Sequence, residues 1–337
     1  MINEFSLAFL IVVIVVAVVF DFANGFNDAA NAIATVVSTR VMSPLAAVLM
    51  AAAMNFVGAL AGTAVAKAVA KGVVNPEDIT LLTVAGGVAA AATWVFVATR
   101  FGMPVSGSHS LIAGVAGAGL AHGGFDALAG AGIVRIVQGL IFSPIMGFLG
   151  GYILMLSIYW GLRRVAPALI SAAFGKLQIL TAAAMAFSHG SNDAQKTMGI
   201  IALALAVSPA YTAMDASNIS VPLWVIILSG TVMAAGTYLG GSRVIHTLGV
   251  RIVAMRPVHG FAAEASAASV ITFASRIGLP ISTTHVITSS ILGMGSTRRL
   301  SAVRWGVAQG IVYAWILTFP ICGLLGAGIY GLLRLAS

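Results

Sequence analysis

Apolar residues run along this chain in long continuous blocks, neither alternating nor recurring at every third or fourth position. A bilayer core about 30 Å thick takes roughly 20 helical residues to cross. Blocks of that order fall at 5–37, 44–70, 79–100, 131–165, 177–207, 221–242, 257–276 and 302–335. Continuous runs exclude the dyad pattern of a membrane β-barrel, so the expected fold is all-α, a polytopic membrane protein. Two further apolar stretches, 104–120 and 280–296, are shorter, rich in Gly and Ser, and open with Pro soon after Gly. They are predicted to be re-entrant hairpins. The block 131–165 contains Ser143-Pro144 and Gly150-Gly151, which leaves one or two crossings open there.

Two motifs occur twice, in the same order. Residues 21–31 read DFANGFNDAAN and 186–196 read AFSHGSNDAQK, an offset of 165; residues 102–109 read GMPVSGSH and 278–285 read GLPISTTH, an offset of 176. Two unrelated motifs with nearly equal offsets indicate duplication. The halves are 1–165, with a hairpin at about 104–120, and 177–337, with a hairpin at about 280–296, joined by a short central loop at 166–176. The first Asn-Asp motif is followed by Arg40 and its twin by a stretch with Asp215 and no Lys or Arg; in the next loops the balance reverses. The positive-inside rule then puts equivalent loops on opposite sides, as in an inverted repeat, although Arg276, Arg298 and Arg299 fall on the wrong side. Inversion needs an odd number of crossings per half, whereas four blocks are counted in the first.

Composition narrows the chemistry. Of 337 residues 60% are hydrophobic and 8% charged, against about 25% charged in a soluble domain. The 17 Lys and Arg, giving a formal charge of +8, are scattered, which suits cytoplasmic loops and argues against nucleic-acid binding. The N-terminus carries Glu4 and lacks a basic region and a small-residue cleavage site, so the first span is expected to be retained. The single Cys322 predicts no intrachain disulfide or metal cluster. Of the nine acids, Glu4, Glu77, Asp78, Asp126 and Asp215 lie at ends or loops, and Asp21, Asp28, Asp193 and Glu264 lie in apolar spans.

An Asp at the centre of a membrane helix costs roughly 2.5–3.5 kcal/mol on an insertion scale, so Asp28 and Asp193 must face protein or a water-filled cavity. Their neighbours Asn24, Gly25 and Asn27, and His189, Gly190 and Asn192, predict a break in each helix that frees backbone groups and makes a cation site. Ser106-Gly107-Ser108 and Ser282-Thr283-Thr284 are expected at half-helix starts, where hydroxyls and free amides attract an oxyanion. Carboxylates beside an anion repel it unless a cation or proton lies between them, which ties the two ligands together as symport requires. Lys196 follows Asp193 by one turn, where the first half has Asn31; its ammonium would fill the space a sodium ion needs, which points to proton coupling. Glu264 has no acidic twin and is a candidate proton or cation group, and Asp21, aligned with Ala186, is a weaker one. His109 and His285 form a symmetric pair and His189 replaces Asn24; each could donate to the anion or carry a proton.

The motifs GFNDAANA, HGSNDAQKTMG, GMPVSGSH and GLPISTTH resemble those of the inorganic phosphate transporter family, and the resemblance covers nearly the whole chain. It implies phosphate symport with sodium or protons, two inverted halves with re-entrant hairpins, residence in the cell membrane, a homodimer, no cofactor and no resident metal. The family includes a sulfate-transporting branch, and its bacterial branch moves phosphate, sometimes as a neutral metal complex, with protons. The implied phosphate ligands are Asn27, Asp28, Ser106, Gly107, Ser108, Asn192, Asp193, Ser282, Thr283 and Thr284; the implied coupling set is Asp21, Asn24, Asp28, Asp193, Lys196 and Glu264, which resembles an acid upstream of the second hairpin in relatives. Only a protonated oxyanion can donate hydrogen bonds to the two acids, which favours phosphate over sulfate. An intramembrane hydrolase is disfavoured because no HExxH and no Gly-x-Ser-x-Gly are present, and a channel because no filter-like loop repeats.

Overall fold

A computed structural model describes residues 6–214, 217 and 219–337; Glu4 and Asp215 lie outside the described residues. The elements follow one order twice. The first half comprises α1 (Leu7–Ser38), the consecutive helices α2 (Pro44–Ala59) and α3 (Ala64–Gly72), then α4 (Leu81–Arg100), α5 (Gly107–Gly123) and α6 (Gly130–Gly161). The second comprises α7 (Pro167–Val207), α8 (Leu223–Leu239), the short α9 (Ser242–His246) prolonged by a π turn, α10 (Pro257–Arg276), α11 (Thr283–Ser296) and α12 (Trp305–Ala336). Five helices, α1, α4, α6, α7 and α12, are long and apolar enough to cross a membrane. Two bent pairs, α2/α3 at 72° and α8/α9 at 66°, raise this to seven if each pair is one span. Exposed Leu, Ile, Val and Phe on α1, α6 and α12 give the apolar exterior that lipid requires.

Three expectations are corrected and one open question is answered. The helices do not break at the Asn-Asp motifs: α1 and α7 run continuously through them for 32 and 41 residues. Gly25 and Gly190 serve close packing instead. A Cβ on Gly25 would lie 2.6 Å from the Met233 carbonyl oxygen on α8, and one on Gly190 would lie 2.1 Å from that of Asn55 on α2. The breaks fall in the next segment of each half, at residues 60–63 and 240–241, the second tied to α1 by the Gly241 N–H donating to the Phe26 carbonyl at 2.8 Å.

The stretch 166–176 is helical from Pro167 onward, because Pro at the first helical position is preorganised for a start. The block 131–165 holds one helix, α6, with Pro144 inside it, as Pro320 lies inside α12. Each predicted hairpin is in fact a pair of helices. Segments 107–123 and 283–296 are single helices, packed antiparallel on α4 and α10, which supply the first arms: Gly87 meets Val115, and Ser290 donates to Ser266 at 3.4 Å.

The halves interlock. α5 packs on α12 and α11 on α6, while α1 packs on α8 and α7 on α2. α1 and α7 cross antiparallel, since Asp21 meets Thr197, Asn24 meets Asp193, Asp28 meets His189 and Thr39 meets Gln178 in turn. Equivalent helices of the two halves therefore point in opposite directions where they meet.

Candidate functional site

The site lies where the α1/α7 crossing meets the N-termini of α5 and α11. Pro104 and Pro280 lie within short non-helical segments, which end at Ser106 and Ser282; these cap the helices, each hydroxyl accepting the N–H of the histidine three residues on at 3.2 Å. Their hydroxyls are thus engaged in capping, leaving the amides of Gly107, Ser108, Thr283 and Thr284 as the first-turn donors. The two starts face one another reciprocally: Ser108 Oγ donates to the Ile281 carbonyl at 3.1 Å and Thr284 Oγ1 to the Val105 carbonyl at 3.4 Å.

Both acids are buried, at 1% exposure each. Asp193 Oδ1 accepts from Lys196 Nζ at 2.6 Å, and its Oδ2 accepts from Thr283 Oγ1 at 3.1 Å and Asn24 Nδ2 at 3.3 Å. Asp28 Oδ1 accepts from Asn27 Nδ2 at 2.9 Å and Thr284 Oγ1 at 3.1 Å, while its Oδ2 has no hydrogen-bond partner among the described residues. His189 stands between them, with Nε2 at 3.6 Å from Asp28 Oδ2 and from Asp193 Oδ2. Asn55 donates to Thr237 at 2.8 Å, so its amide oxygen faces His189 Nδ1 at 3.0 Å and assigns the ring hydrogen to Nδ1. Nε2 then faces two carboxylates, as a lone pair when the ring is neutral and as a second N–H when it is protonated. One atom from each of Asp28, His189 and Asp193 lies within 4.8 Å of the others, a set able to hold a small cation.

Lys196 is buried at 2% exposure, which rules out snorkelling to the surface. Besides Asp193 it donates to Ser108 Oγ and to the Ile281 carbonyl at 2.9 Å. At the equivalent place Asn31 donates to Thr284 Oγ1 at 3.1 Å. With both acids ionised and His189 neutral, the cluster carries one net negative charge in a low-dielectric interior, so an added oxyanion needs a proton or cation with it.

The other expected residues are placed more loosely. Asp21 is buried two turns from Asp28 and accepts from Thr197 at 2.9 Å. Glu264 accepts from Thr35, from Gln178 at 3.3 Å and from Thr181 at 2.6 Å, two turns beyond Asp28 on the opposite side from Asp21. Neither touches the centre. His109 and His285 pack edge to face at 4.2 Å, His285 stacked on Trp315 at 3.7 Å, and none of their ring nitrogens is hydrogen-bonded among the described residues. They flank the centre without bonding to its acids.

Sequence reasoning missed Asn55, which orients His189, and the hydroxyls of Thr99 and Ser275. Thr99 Oγ1 donates to Asn27 Oδ1 at 2.9 Å and Asn192 Nδ2 donates to Ser275 Oγ at 3.0 Å. Extending the hairpin alignment three residues upstream would have found the second pair, since Thr99 and Ser275 share the offset of 176. Asn55 is marked only as a lone amide in the apolar block 44–70; no motif ties it to the centre, which it reaches from the neighbouring helix α2.

The profile of the phosphate transporter family matches residues 24–326, taking in both Asn-Asp motifs and both hairpins. A relative from Rhizobium meliloti (strain 1021), described as a probable low-affinity inorganic phosphate transporter, is 43% identical over 259 residues, covering 77% of this chain and 76% of its own. One of the same description from Bacillus subtilis (strain 168) is 41% identical over 254 residues, covering 75% of each chain. A solved structure described as the sodium-dependent phosphate transporter aligns with a TM-score of 0.88 at 26% identity, covering 98% of this chain and 100% of that one. The apolar helices and the match to transport proteins make this an integral membrane transport protein rather than an enzyme, and the chain belongs to the phosphate transporter family.

Proposed function

We propose that the chain imports inorganic phosphate as a secondary symporter driven by protons. The observation that carries the reading is Lys196: an ammonium buried at 2% exposure, bonded to Asp193 and to both hairpin starts, at the position where the first half has Asn31. A fixed cation there neutralises one acid permanently. The second acid, Asp28, is left with an unpartnered oxygen 3.6 Å from the His189 Nε2 lone pair, and one proton shared there brings the cluster to neutrality before phosphate enters. Phosphate would be held by the first-turn amides and hydroxyls of α5 and α11, with Asn27 and Asn192 at its flanks. Asp21 and Glu264 would pass protons toward and away from the centre.

Counting α4/α5 and α10/α11 as hairpins and each bent pair as one span leaves three crossings per half, an odd number. That count, with the antiparallel meeting of α1 and α7, supports inverted halves and alternating access. A homodimer, implied by the family, completes the reading. A sodium-coupled mechanism is the second reading, favoured by the sodium dependence of the structural neighbour.

Radiolabelled uptake into proteoliposomes under separately imposed proton and sodium gradients tests the proposal, with sulfate and arsenate as competitors. Uptake driven by a pH gradient in sodium-free buffer is expected. Uptake that needs a sodium gradient and ignores the pH gradient would overturn proton coupling.

A further inference from the structure

The hairpin repeat begins earlier than its Gly-x-Pro signature. Residues 98–106 read ATRFGMPVS and 274–282 read ASRIGLPIS, so a hydroxyl and an arginine, Thr99-Arg100 and Ser275-Arg276, precede each turn at the same offset of 176. The hydroxyls bond Asn27 and Asn192 beside the central acids. The arginines point the other way. Both are exposed, and neither guanidinium has a hydrogen bond, ion pair or ring contact among the described residues.

Each arginine lines its own hollow of about 360 Å³, on the order of ten water volumes. The two hollows are built alike: the C-terminal end of a first hairpin arm faces the break of the bent pair from the other half, Gly241 opposite Arg100 and Gly62 opposite Arg276. They also sit deep. The first meets α1 at Phe26 and Asn27, from which α1 continues 11 residues to Ser38 and 20 residues back to Leu7, about 16 and 30 Å of helix. A guanidinium facing hydrocarbon at that depth is costly, so the hollows admit water or a polar headgroup. This also explains why Arg276 disobeys the positive-inside count: it is part of a pocket, not of a loop.

We infer that the two hollows are approach sites for the transported oxyanion, one for each membrane face, in which Arg100 and Arg276 bind phosphate transiently outside the Thr99–Asn27 and Ser275–Asn192 contacts. The inference rests on the phosphate-transport reading above. A free guanidinium is the side chain best matched to a tetrahedral oxyanion, because it offers paired donors and stays charged. In the first hollow Arg243 adds a second guanidinium while donating through Nη1 to the Arg100 carbonyl. The equivalent lining position of the second hollow is Ala64, and the arm's end there is capped from outside, by Arg135 Nη2 on the Ile277 carbonyl at 3.1 Å. The first hollow therefore holds phosphate more tightly than the second.

The test measures the KM for radiolabelled phosphate in right-side-out and inside-out membrane vesicles carrying the wild type, Arg100→Gln or Arg276→Gln, with Arg→Lys at each position as control. Each Gln variant is expected to raise KM about 3- to 10-fold, the loss of one charge-assisted contact in a wet site, at one face only. The two variants are expected to act at opposite faces, with maximal rate within about twofold of wild type and KM largely restored by Lys. Effects at the same face, or no change in KM at either, would overturn the inference. Repeating the measurement in proteoliposomes of phosphatidylcholine alone and with phosphatidylglycerol separates the two phosphate sources. A KM shift that vanishes without anionic lipid assigns the arginines to headgroups and overturns it too. Wild type that takes up no phosphate under any gradient would defeat the transport reading itself, whereas active wild type with unaffected variants defeats this inference alone.

Discussion

One turn beyond its central acid the first half places Asn31, bonded to Thr284, and the second half places Lys196, bonded to Asp193, Ser108 and the Ile281 carbonyl. One turn before the acid the first half has Asn24 and the second His189, each reaching across to the acid of the other half. The helices, bends, caps and central acids are duplicated; the side chains one turn to either side of each acid are not. Duplication supplies a centre with two-fold pseudo-symmetry. Divergence at these positions sets its charge, because Asp193 carries its own counter-ion and Asp28 does not.

The sharpest way to break that comparison is to exchange each acid for its amide. Asp193→Asn leaves the Lys196 ammonium buried with neutral acceptors only and no negative partner, and removing one partner of a buried ion pair costs about 3–5 kcal/mol. Loss of folded protein on mild heating, followed by size-exclusion chromatography, is expected together with loss of uptake. Asp28→Asn keeps an acceptor oxygen for Asn27 and Thr284, so its thermal stability should stay near wild type while uptake is lost. Two variants that melt alike, or an Asp28→Asn protein that still transports, would remove the distinction between the halves.

Next in size is Lys196→Asn, which gives the second half the residue of the first. Asp193 keeps Asn24 and Thr283 as donors and can take up a proton or a small cation, so the fold should survive with a loss of about 1–3 kcal/mol. Uptake is expected to lose its response to a pH gradient and to gain stimulation by sodium. Proton-driven uptake unchanged in this variant would show that Lys196 has no part in coupling.

Periodicity and repeats made most of this legible. Apart from α7, which begins ten residues before its block, and the bend inside 44–70, the apolar blocks gave the helices to within a few residues, and the two repeated motifs named the acids, the hairpin starts and Lys196, because burial in an apolar span makes each polar residue conspicuous. The error at the Asn-Asp motifs has a physical source. Gly beside Asn reads locally as a helix breaker, but here each Gly answers a contact with a distant helix, α8 for Gly25 and α2 for Gly190, which no local pattern reveals. The bounds of the hairpins were drawn too narrowly for a related reason: α10 carries Glu264 and several small polar residues yet pairs with α11 as an arm, and an arm shielded by neighbouring helices need not be apolar. Asn55 and the Thr35–Glu264–Thr181 cluster depend on helix crossings that the chain does not spell out.

A smaller effect probes the tightest place in the cavity. Gly107 sits under Asn24, and a Cβ there would lie 1.8 Å from its Oδ1; the equivalent residue in the second half is Thr283, whose hydroxyl instead reaches Asp193. Gly107→Ala must push Asn24 away from Asp193, at about 1–3 kcal/mol as an overpacked core, with slower uptake in the same proteoliposome assay. Thr283→Ser, which keeps the hydroxyl, should be tolerated. Equal damage from both would mean that the two hairpin starts are interchangeable after all.

The smallest difference concerns the two hydroxyl–amide contacts that close the centre. Thr99 Oγ1 lies 2.9 Å from Asn27 Oδ1 and 2.7 Å from the Val95 carbonyl, so its single hydrogen serves two acceptors. Ser275 Oγ is itself the acceptor from Asn192 Nδ2 at 3.0 Å. Thr99→Val takes from Asn27 Oδ1 a donor that was already divided, while Asn27 Nδ2 keeps its bonds to Asp28 and the Val105 carbonyl. Ser275→Ala instead leaves the buried Asn192 amide without its acceptor, the more expensive of the two situations by about 1 kcal/mol. The melting temperature of purified protein should therefore fall further for Ser275→Ala than for Thr99→Val, by a margin of a few degrees or less. The reverse order would show that the first contact, not the second, is the firmer closure, and that the asymmetry between the halves at the centre does not extend to the bonds that seal it.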